Sequence, residues 1–323
     1  MSTEARRSAY QSAHPHGLMF HRFHSSGSKG ILQGSLSPAD FETILLFVGV
    51  DNILAPDKWM SRLQAGTLKP SDLCLTFDDG LRSQVDFAEP VLARYGLRAF
   101  WFVYSTVFEG GVVRSELYSQ AAALMGGMDI LTKALLARWP DAINILDSTD
   151  EFATYQREVL QLFPFYTEQD CQYRFLRNSE PHKDIFEKLM NQLINEHGLN
   201  MTEISRKLWM RRGDLKFLVN GGHWVGLHSY NHPYAMDALP LAAQQSEYQR
   251  NYDHLTALTG RKPHSMSHPL NSYNSDTLEI LASLGIECGF RSNMTAAPKT
   301  KINSNSLLMA REDSATLLNL AHQ

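Results

Sequence analysis

Two short segments of the sequence carry side chains that could perform chemistry together. TFDDG ends an apolar run in Asp78 and Asp79, and HSYNH places His228 and His232 four positions apart. Two neutral imidazoles and one carboxylate make a three-ligand set that suits Zn²⁺ or another divalent transition metal and leaves a position open for water. Together the two segments predict a metal site that activates a nucleophile.

The two adjacent aspartates need not share one role, because side chains alternate in direction along a strand. If one aspartate binds the metal, the cation offsets the like-charge repulsion, and the other can stay ionised as a general base. The residue types leave open which aspartate does which. Alone, DDG also fits a helix N-cap or a solvated turn, and two spaced histidines fit surface or hydrogen-bonded core positions. The occurrence of both segments favours the metal site.

The elements around these segments predict a parallel α/β fold. GLMFHRF, DLCLTFDD and LRAFWFVYST are typical of strands, and SPADFETILLFVG and SQVDFAEPVLARYG are typical of helices between them. The alternation resumes with the strand HWVGLHS, the helix LPLAAQQSEYQRNYDHLTALTG, a strand end and loop in KPHSMSHPLNSYN, the helix SDTLEILASLG and the strand IECGFRSN. Functional side chains gather at the carboxyl ends of parallel strands, where TFDDG, HSYNH and SHPLNSYN all lie.

A helical segment interrupts this alternation. Between about residues 109 and 212 the periodicity is helical, and no comparable strand pattern occurs. We therefore predict one domain over residues 1–323 with a helical insertion at about 109–212. The insertion would form a lid or wall that selects the substrate, or a packing or dimerisation element.

Composition excludes several classes of protein. The 323-residue chain is 43% hydrophobic and 20% charged, and its formal net charge of −4 gives no reason to expect nucleic acid as a partner. Its three cysteines are far apart, which argues against a disulfide scaffold and a cysteine zinc site. The sequence shows neither a signal peptide nor the roughly 18 apolar residues of a membrane span. We therefore expect a cytoplasmic location.

These segments resemble the polysaccharide deacetylases with the NodB-homology fold, known as carbohydrate esterase family four. The resemblance is carried by TFDDG, AEPVLARYGLRAFWFV, LVNGGHWVGLHSYNH and HPLNSYNSDTLEILASLGIECGF. MFHRF and SLSPADFE are similar to the opening of many members, and the likeness covers about two thirds of the chain. It implies a distorted (β/α) barrel, typically of seven strands, that carries a metal-dependent amide hydrolase.

The resemblance also implies a role for each matching residue. Asp78 matches the catalytic base, and Asp79, His228 and His232 match the metal ligands. The expected cofactor is Zn²⁺, with Co²⁺, Ni²⁺, Mn²⁺ or Fe²⁺ as alternatives. Water activated at the metal would attack the carbonyl carbon of an N-acetyl group while Asp78 takes its proton. The metal and a backbone N–H would hold the resulting oxyanion.

The loop that supplies this N–H departs from the family pattern. The tyrosine of the family's R-P-P-Y-like loop aligns with Leu270, which follows His268 and Pro269 in the expected oxyanion and substrate loop. The family's base-restraining arginine aligns with Ser267, so Arg311 in MARED is the candidate substitute, with a solvated surface arginine as the alternative. His268 would contact substrate or metal, although a hydrogen-bonded structural role is the favoured interpretation.

The general acid also differs from the family pattern. No late L-x-x-H-D motif is recognisable, because the only histidine after His268 is His322. Some related deacetylases have a rearranged barrel with an early histidine on the first strand, and His21 in MFHRF aligns with it. We therefore predict that His21 protonates the leaving amine, with His24 as the weaker candidate. The alternative for His21 is a buried, hydrogen-bonded strand histidine.

The expected activity is removal of an N-acetyl group from a sugar or saccharide precursor in surface-glycan biosynthesis. One alternative is a metal-dependent hydrolase of a non-sugar amide, which the same motifs would serve. The other is a degenerate barrel that binds saccharide without catalysis. The altered oxyanion and substrate loop and the missing late histidine favour this binder, whereas the intact Asp78, Asp79, His228 and His232 oppose it.

Overall fold

A computed structural model of the chain describes residues 10–25, 27–28, 31–32, 34–147, 150–162, 166–297 and 305–323. Residues 1–9, which contributed to the expectation of a cytoplasmic location, lie outside this part. The chain divides into two compact units. The first contains residues 1–26, 34–113 and 209–323, and the second contains residues 27–33 and 114–208.

The first unit is built on a parallel sheet. Within the described part of the chain it has seven strands in the order β6-β5-β4-β3-β2-β1-β7. They are β1 (His16–Phe20), β2 (Leu73–Phe77), β3 (Phe100–Val103), β4 (Trp224–Leu227), β5 (Ser265–Ser267), β6 (Cys288–Phe290) and β7 (Arg311–Asp313). Phe290 at the end of β6 also forms a parallel bridge to Met309, just before β7, so the sheet is nearly closed. The predicted distorted (β/α) barrel is confirmed.

Helices connect the strands of the first unit and make up the second. In chain order they are α1 (Pro38–Val48), α2 (Pro56–Gln64), α3 (Glu89–Arg94), α4 (Arg114–Leu124), α5 (Met128–Arg138), α6 (Asp141–Asp147), α7 (Asp150–Leu162), α8 (Glu168–Asn178), α9 (Lys183–Glu196), α10 (Met201–Leu208), α11 (Arg212–Asn220), α12 (Leu241–Thr259), α13 (Ser275–Ser283) and α14 (Ser314–His322). Among the described residues, no helix combines the length and apolar character needed to cross a membrane.

The second unit consists of α4 to α10. Its described residues contain no strand, and apolar side chains from several of its helices are fully buried, among them Leu117, Leu131, Leu135, Phe186 and Met190. The interpretation of this segment as an insertion into a single domain stays a prediction.

Local signals explain where several helices begin and end. Ser37 caps α1 by accepting from the Asp40 N–H, and the Asp40 carboxylate accepts in return from the Ser37 N–H. Gly260 ends α12 in the left-handed conformation, with a φ of 73°. The sequence patterns above do not mark α2, α14 or the three-residue strand β7.

Alternation along β2 separates two layers of side chains. Leu75 and Phe77 join the large apolar cluster, whereas Cys74 packs with Phe100 and Phe290. The rings of Phe100 and Phe290 lie 5.5 Å apart although their strands are not neighbours in the sheet, so this second layer is the barrel interior. The same period of two directs the residue after Phe77 toward that interior.

Gly226 in β4 permits a close approach between strands. A Cβ atom there would lie 2.5 Å from the Ser265 carbonyl oxygen and 2.8 Å from the Phe102 ring. A larger residue would therefore push β5 away from β4. Glycine keeps the carboxyl ends of these two strands close together.

A buried neutral histidine makes the stability of the fold depend on pH. The His223 side chain accepts a hydrogen bond at Nδ1 from the Ala99 N–H, 3.1 Å away. Burial, with a smaller contribution from the charge of Arg98, lowers the pKa of His223 to about 4. In the unfolded chain the pKa is about 6.5. Between these values the unfolded chain binds a proton that the folded chain does not, so stability falls as the pH falls.

We predict that His223→Asn reduces this acid sensitivity, because the asparagine oxygen can accept from Ala99 without titrating. The free energy of unfolding, measured with urea from pH 7 to 4.5, should fall less steeply in the variant, by at most about 1.4 kcal/mol per pH unit. The same substitution at exposed His264 is the control. Equal slopes for wild type and His223→Asn would show that His223 does not contribute.

Candidate active site

The candidate metal ligands lie together at the carboxyl ends of β2 and β4. The Asp79 Oδ1 atom is 3.4 Å from His228 Nε2 and 3.5 Å from His232 Nε2. Three ligand atoms about 2.1 Å from a tetrahedrally coordinated ion would lie ~3.4 Å from one another. The two distances from Asp79 therefore match the spacing that a small divalent cation requires, and all three ligand atoms lie within 4.8 Å of one another.

The tautomer of His228 also fits a metal ligand. Its Nδ1 lies 2.9 Å from the Ser267 carbonyl oxygen, which can only accept, so Nδ1 carries the hydrogen. In the neutral imidazole, which is the form that binds a metal, Nε2 would then present its lone pair to the cluster with Asp79. A backbone carbonyl on the second ring nitrogen is the usual partner of a metal-bound histidine, because it fixes the orientation of the ring.

Three residues of this cluster region have left-handed backbone conformations. The φ angles are 76° at Asp79, 60° at Ser229 and 57° at His232, none of which is glycine. Such conformations cost about 1–3 kcal/mol each and persist only where surrounding contacts hold them. One such contact is local, since the Ser229 Oγ accepts from the His232 N–H at 3.0 Å.

Asp78 takes part in a different interaction, a buried ion pair with Arg311. The guanidinium donates to both carboxylate oxygens, at 2.8 and 2.7 Å, and both residues are almost fully buried. Ser267 Oγ donates to the same carboxylate at 3.1 Å and accepts from Arg311 at 2.7 Å. Arg311 thus contacts Asp78, as expected of the substitute arginine, and the alternative of a solvated surface arginine is wrong.

The charges around Asp78 keep its carboxylate ionised. Burial alone would raise the pKa of Asp78, but the charge of Arg311 and the imidazoles of His228 and His21 outweigh burial, so the pKa lies below its ordinary value. In the same way, burial would lower the pKa of His228, and the carboxylates of Asp78 and Asp79 raise it. Two ionised carboxylates beside one arginine leave an excess of negative charge that favours a cation.

His21 lies at the edge of this arrangement. Its Nε2 atom is 3.8 Å from Asp78 Oδ2, and about a third of its side chain is exposed. This exposure disagrees with the alternative of a buried strand histidine. His24 instead lies with Nδ1 3.0 Å from Ser35 Oγ. The structure therefore brings His21 within reach of both Asp78 and solvent.

In the expected oxyanion and substrate loop, Leu270 is exposed, whereas Pro269 and His268 are buried. Leu270 is 54% exposed and has a φ of 51°, and Pro269 beside it is buried. His268 is buried and donates from Nε2 to the Leu307 carbonyl at 2.9 Å. Burial lowers the pKa of His268 to about 3, so it is neutral. These contacts fit the structural interpretation of His268.

Sequence motifs did not identify two further side chains that shape the site. Gln84 donates to the backbone oxygens of Asp78, at 2.5 Å, and His21, at 2.8 Å, and so ties the ends of β1 and β2. Tyr104 packs its ring against the edge of His232, with centroids 5.4 Å apart. The signal for Tyr104 is its position directly after β3, where a parallel strand ends. Nothing in the sequence marks Gln84.

A family model described as polysaccharide deacetylase matches residues 186–289 of this chain. The match includes His228 and His232 and leaves out Asp78 and Asp79. No curated protein matches the chain significantly.

Solved structures match nearly the whole chain. The Streptococcus pyogenes deacetylase PplD, solved in complex with acetate, is 16% identical with a TM-score of 0.55, and the match covers 96% of this chain and 99% of that one. IcaB from Ammonifex degensii is 16% identical with a TM-score of 0.53, covering 97% and 99%. A de-N-acetylase from Aggregatibacter actinomycetemcomitans is 12% identical with a TM-score of 0.53, covering 95% and 99%. The resemblance to the polysaccharide deacetylases is confirmed. At these identities the structural matches establish the fold alone.

We predict that Arg311→Met destabilises the protein by about 3–5 kcal/mol, because it leaves the Asp78 charge buried without a partner. The double variant Asp78→Asn/Arg311→Met should recover part of this loss, since the neutral amide needs no counter-charge. Urea unfolding of the wild type, both single variants and the double variant at pH 7 gives the coupling energy. Additive effects of the two substitutions would contradict the pairing.

Proposed function

We propose that this protein is a metal-dependent N-deacetylase of a sugar or saccharide precursor. The observation that carries the proposal is the cluster of Asp79, His228 and His232 beside a second carboxylate, Asp78, that a separate partner holds ionised. The match to the family model and the fold support deacetylation of a saccharide.

In the proposed arrangement, Asp79, His228 and His232 hold one divalent cation, with Zn²⁺ first among the candidates because two imidazoles and a carboxylate suit it. When bound, the cation would polarise the amide carbonyl and make water a nucleophile near neutral pH. The three side chains follow β2 and β4, and a cation held by them would keep positions open for water and substrate.

Asp78 is proposed as the general base. Its carboxylate is ionised, and the two-point contact with Arg311 and the hydrogen bond from Ser267 fix its orientation. A base held in this way can take a proton from water without first reorganising its own partners. The Leu270 N–H is proposed as a donor to the developing oxyanion.

His21 is proposed as the general acid. Cleavage of the amide requires a proton on the leaving nitrogen, and an imidazole at the edge of the site can supply it. The partial exposure of His21 lets it exchange protons with solvent between turnovers.

The proposed substrate is an N-acetylated saccharide, linked to a nucleotide or a lipid, that serves as a precursor of surface glycans. The reaction is proposed to take place in the cytoplasm. The saccharide is supported by the description of the family. The choice of linked precursors follows from the location expected from the sequence. This choice is tested by whether linked precursors release acetate faster than a mature polymer.

We predict that metal binding and catalysis separate by variant. The double variant His228→Ala/His232→Ala should lose both bound metal, measured by elemental analysis, and acetate release from a panel of N-acetylated saccharides. Asp78→Asn should keep its metal and lose acetate release by about 10²- to 10⁴-fold, the usual contribution of a general base. His264→Ala, at the opposite end of β5, is the control histidine.

Either of two results would change this assignment. Loss of metal in Asp78→Asn with retention in Asp79→Asn would exchange the roles of the two aspartates. Stoichiometric metal with no acetate from any saccharide would favour another amide substrate or a non-catalytic binder.

We predict that His21→Ala lowers kcat by about 10²- to 10⁴-fold and removes the decline of activity at high pH, because a general acid must be protonated to act. KM should change much less, since the wild-type imidazole acts on the leaving group. His24→Ala is the matched control on the same segment. An unchanged kcat across the pH range in His21→Ala would exclude His21 as the acid.

A further inference from the structure

The carboxylate of Glu247 on α12 holds the loop between the two candidate metal-binding histidines. Its Oε2 atom accepts from the Tyr230 N–H at 3.0 Å and from the Asn231 N–H at 2.8 Å. Its Oε1 atom accepts from the Asn231 side-chain amide at 2.6 Å. One side chain thus binds three donors of this loop, and hydrogen bonds to a charged acceptor are stronger than those between neutral groups.

Asn251, one turn further along α12, holds the start of the same loop. It is fully buried, and its Oδ1 atom accepts from the His228 N–H at 3.0 Å. Its Nδ2 group donates to the Val103 carbonyl at 3.0 Å and to Ser105 Oγ at 2.9 Å. Asn251 therefore connects α12 to the carboxyl ends of both β3 and β4.

The spacing of the two side chains matches the loop that they hold. Residues four apart on a helix lie on the same face, so Glu247 and Asn251 point toward the barrel together. The N–H groups of residues 228, 230 and 231 all donate to these two side chains, and that of His232 donates to Ser229.

The loop needs such support because two of its residues are strained. Ser229 and His232 both have left-handed φ angles, and a chain free of external contacts would relax to commoner conformations. Relaxation at either residue would move His232 relative to His228. The distances of both imidazoles to Asp79 would then no longer fit one small cation.

We propose that Glu247 and Asn251 are positioning residues that set the metal affinity of the site through the conformation of the HSYNH loop. The inference rests on the proposed metal-dependent function. The hydrogen bonds described for the two side chains reach no ligand atom, so both act through the backbone that carries His228 and His232.

Glu247 is the residue to test, because it is half-buried whereas Asn251 is fully enclosed and its loss would disturb β3 as well. In Glu247→Ala the two backbone N–H groups lose their acceptor. We expect the affinity for Co²⁺, measured by competition with a chelator, to fall about 10- to 100-fold, the range found when an outer partner of a metal ligand is removed. Glu247→Gln keeps one carbonyl oxygen and should show a smaller loss.

A second readout does not depend on metal or turnover. The Tyr230 and Asn231 amides should exchange hydrogen faster in Glu247→Ala than in the wild type. Gln249→Ala is the matched control, because Gln249 lies on the same helix and hydrogen-bonds only exposed Asp253 among the contacts described. It should leave both affinity and exchange unchanged.

The possible outcomes separate this inference from the proposed function. If the wild type binds Co²⁺ and both Glu247 variants bind it equally well, the positioning role is wrong and the proposed function stands. If the wild type binds no Co²⁺, the proposed function and the inference both fail. In a His232→Ala background, Glu247→Ala should no longer weaken binding, whereas a persisting loss would show an effect unrelated to the loop. If Glu247→Ala does not fold, Glu247→Gln decides the same comparisons.

Discussion

Two adjacent carboxylates end one buried strand, and each of them has its own positively charged or hydrogen-bonding partner. Asp78 pairs with Arg311, and Asp79 lies against His228 and His232. Without separate partners the two charges would repel in a medium of low dielectric, and one would take up a proton. Because Asp79 leaves the strand with a left-handed φ, the two neighbours can meet different partners on the same side of the barrel.

The barrel supplies the partners of the two aspartates from three strands. His228 and His232 follow β4, Ser267 ends β5, and Arg311 begins β7 and reaches both Asp78 and Ser267 with its side chain. Glycine makes room for that side chain, since a Cβ atom at Gly17 would lie 3.1 Å from the Arg311 Cγ atom. The site therefore depends on strand order and on space inside the barrel as much as on the motifs themselves, and α12 adds the contacts that hold the histidine loop.

Short-range patterns predicted the strands other than β7 and the polar residues that follow them. These features, such as the alternation in β2 and the turn after it, depend only on neighbouring residues. The sequence could suggest Arg311 as the substitute but could not establish it, since β7 is three residues long and its place beside β1 follows from closure of the sheet. Glu247 lies in a polar helix among similar residues, and its tertiary contacts with Tyr230 and Asn231 distinguish it. Long-range pairing of this kind has no local signal.

The most direct measurement is anomalous X-ray diffraction at the zinc or cobalt edge from crystals of the metal-loaded protein. We expect one anomalous peak within about 2.0–2.2 Å of His228 Nε2, His232 Nε2 and an Asp79 carboxylate oxygen, with Asp78 still paired to Arg311. A peak that has Asp78 as a ligand would contradict the division of roles between the two aspartates. A metal bound elsewhere, or no peak in crystals grown with excess metal, would contradict the site itself.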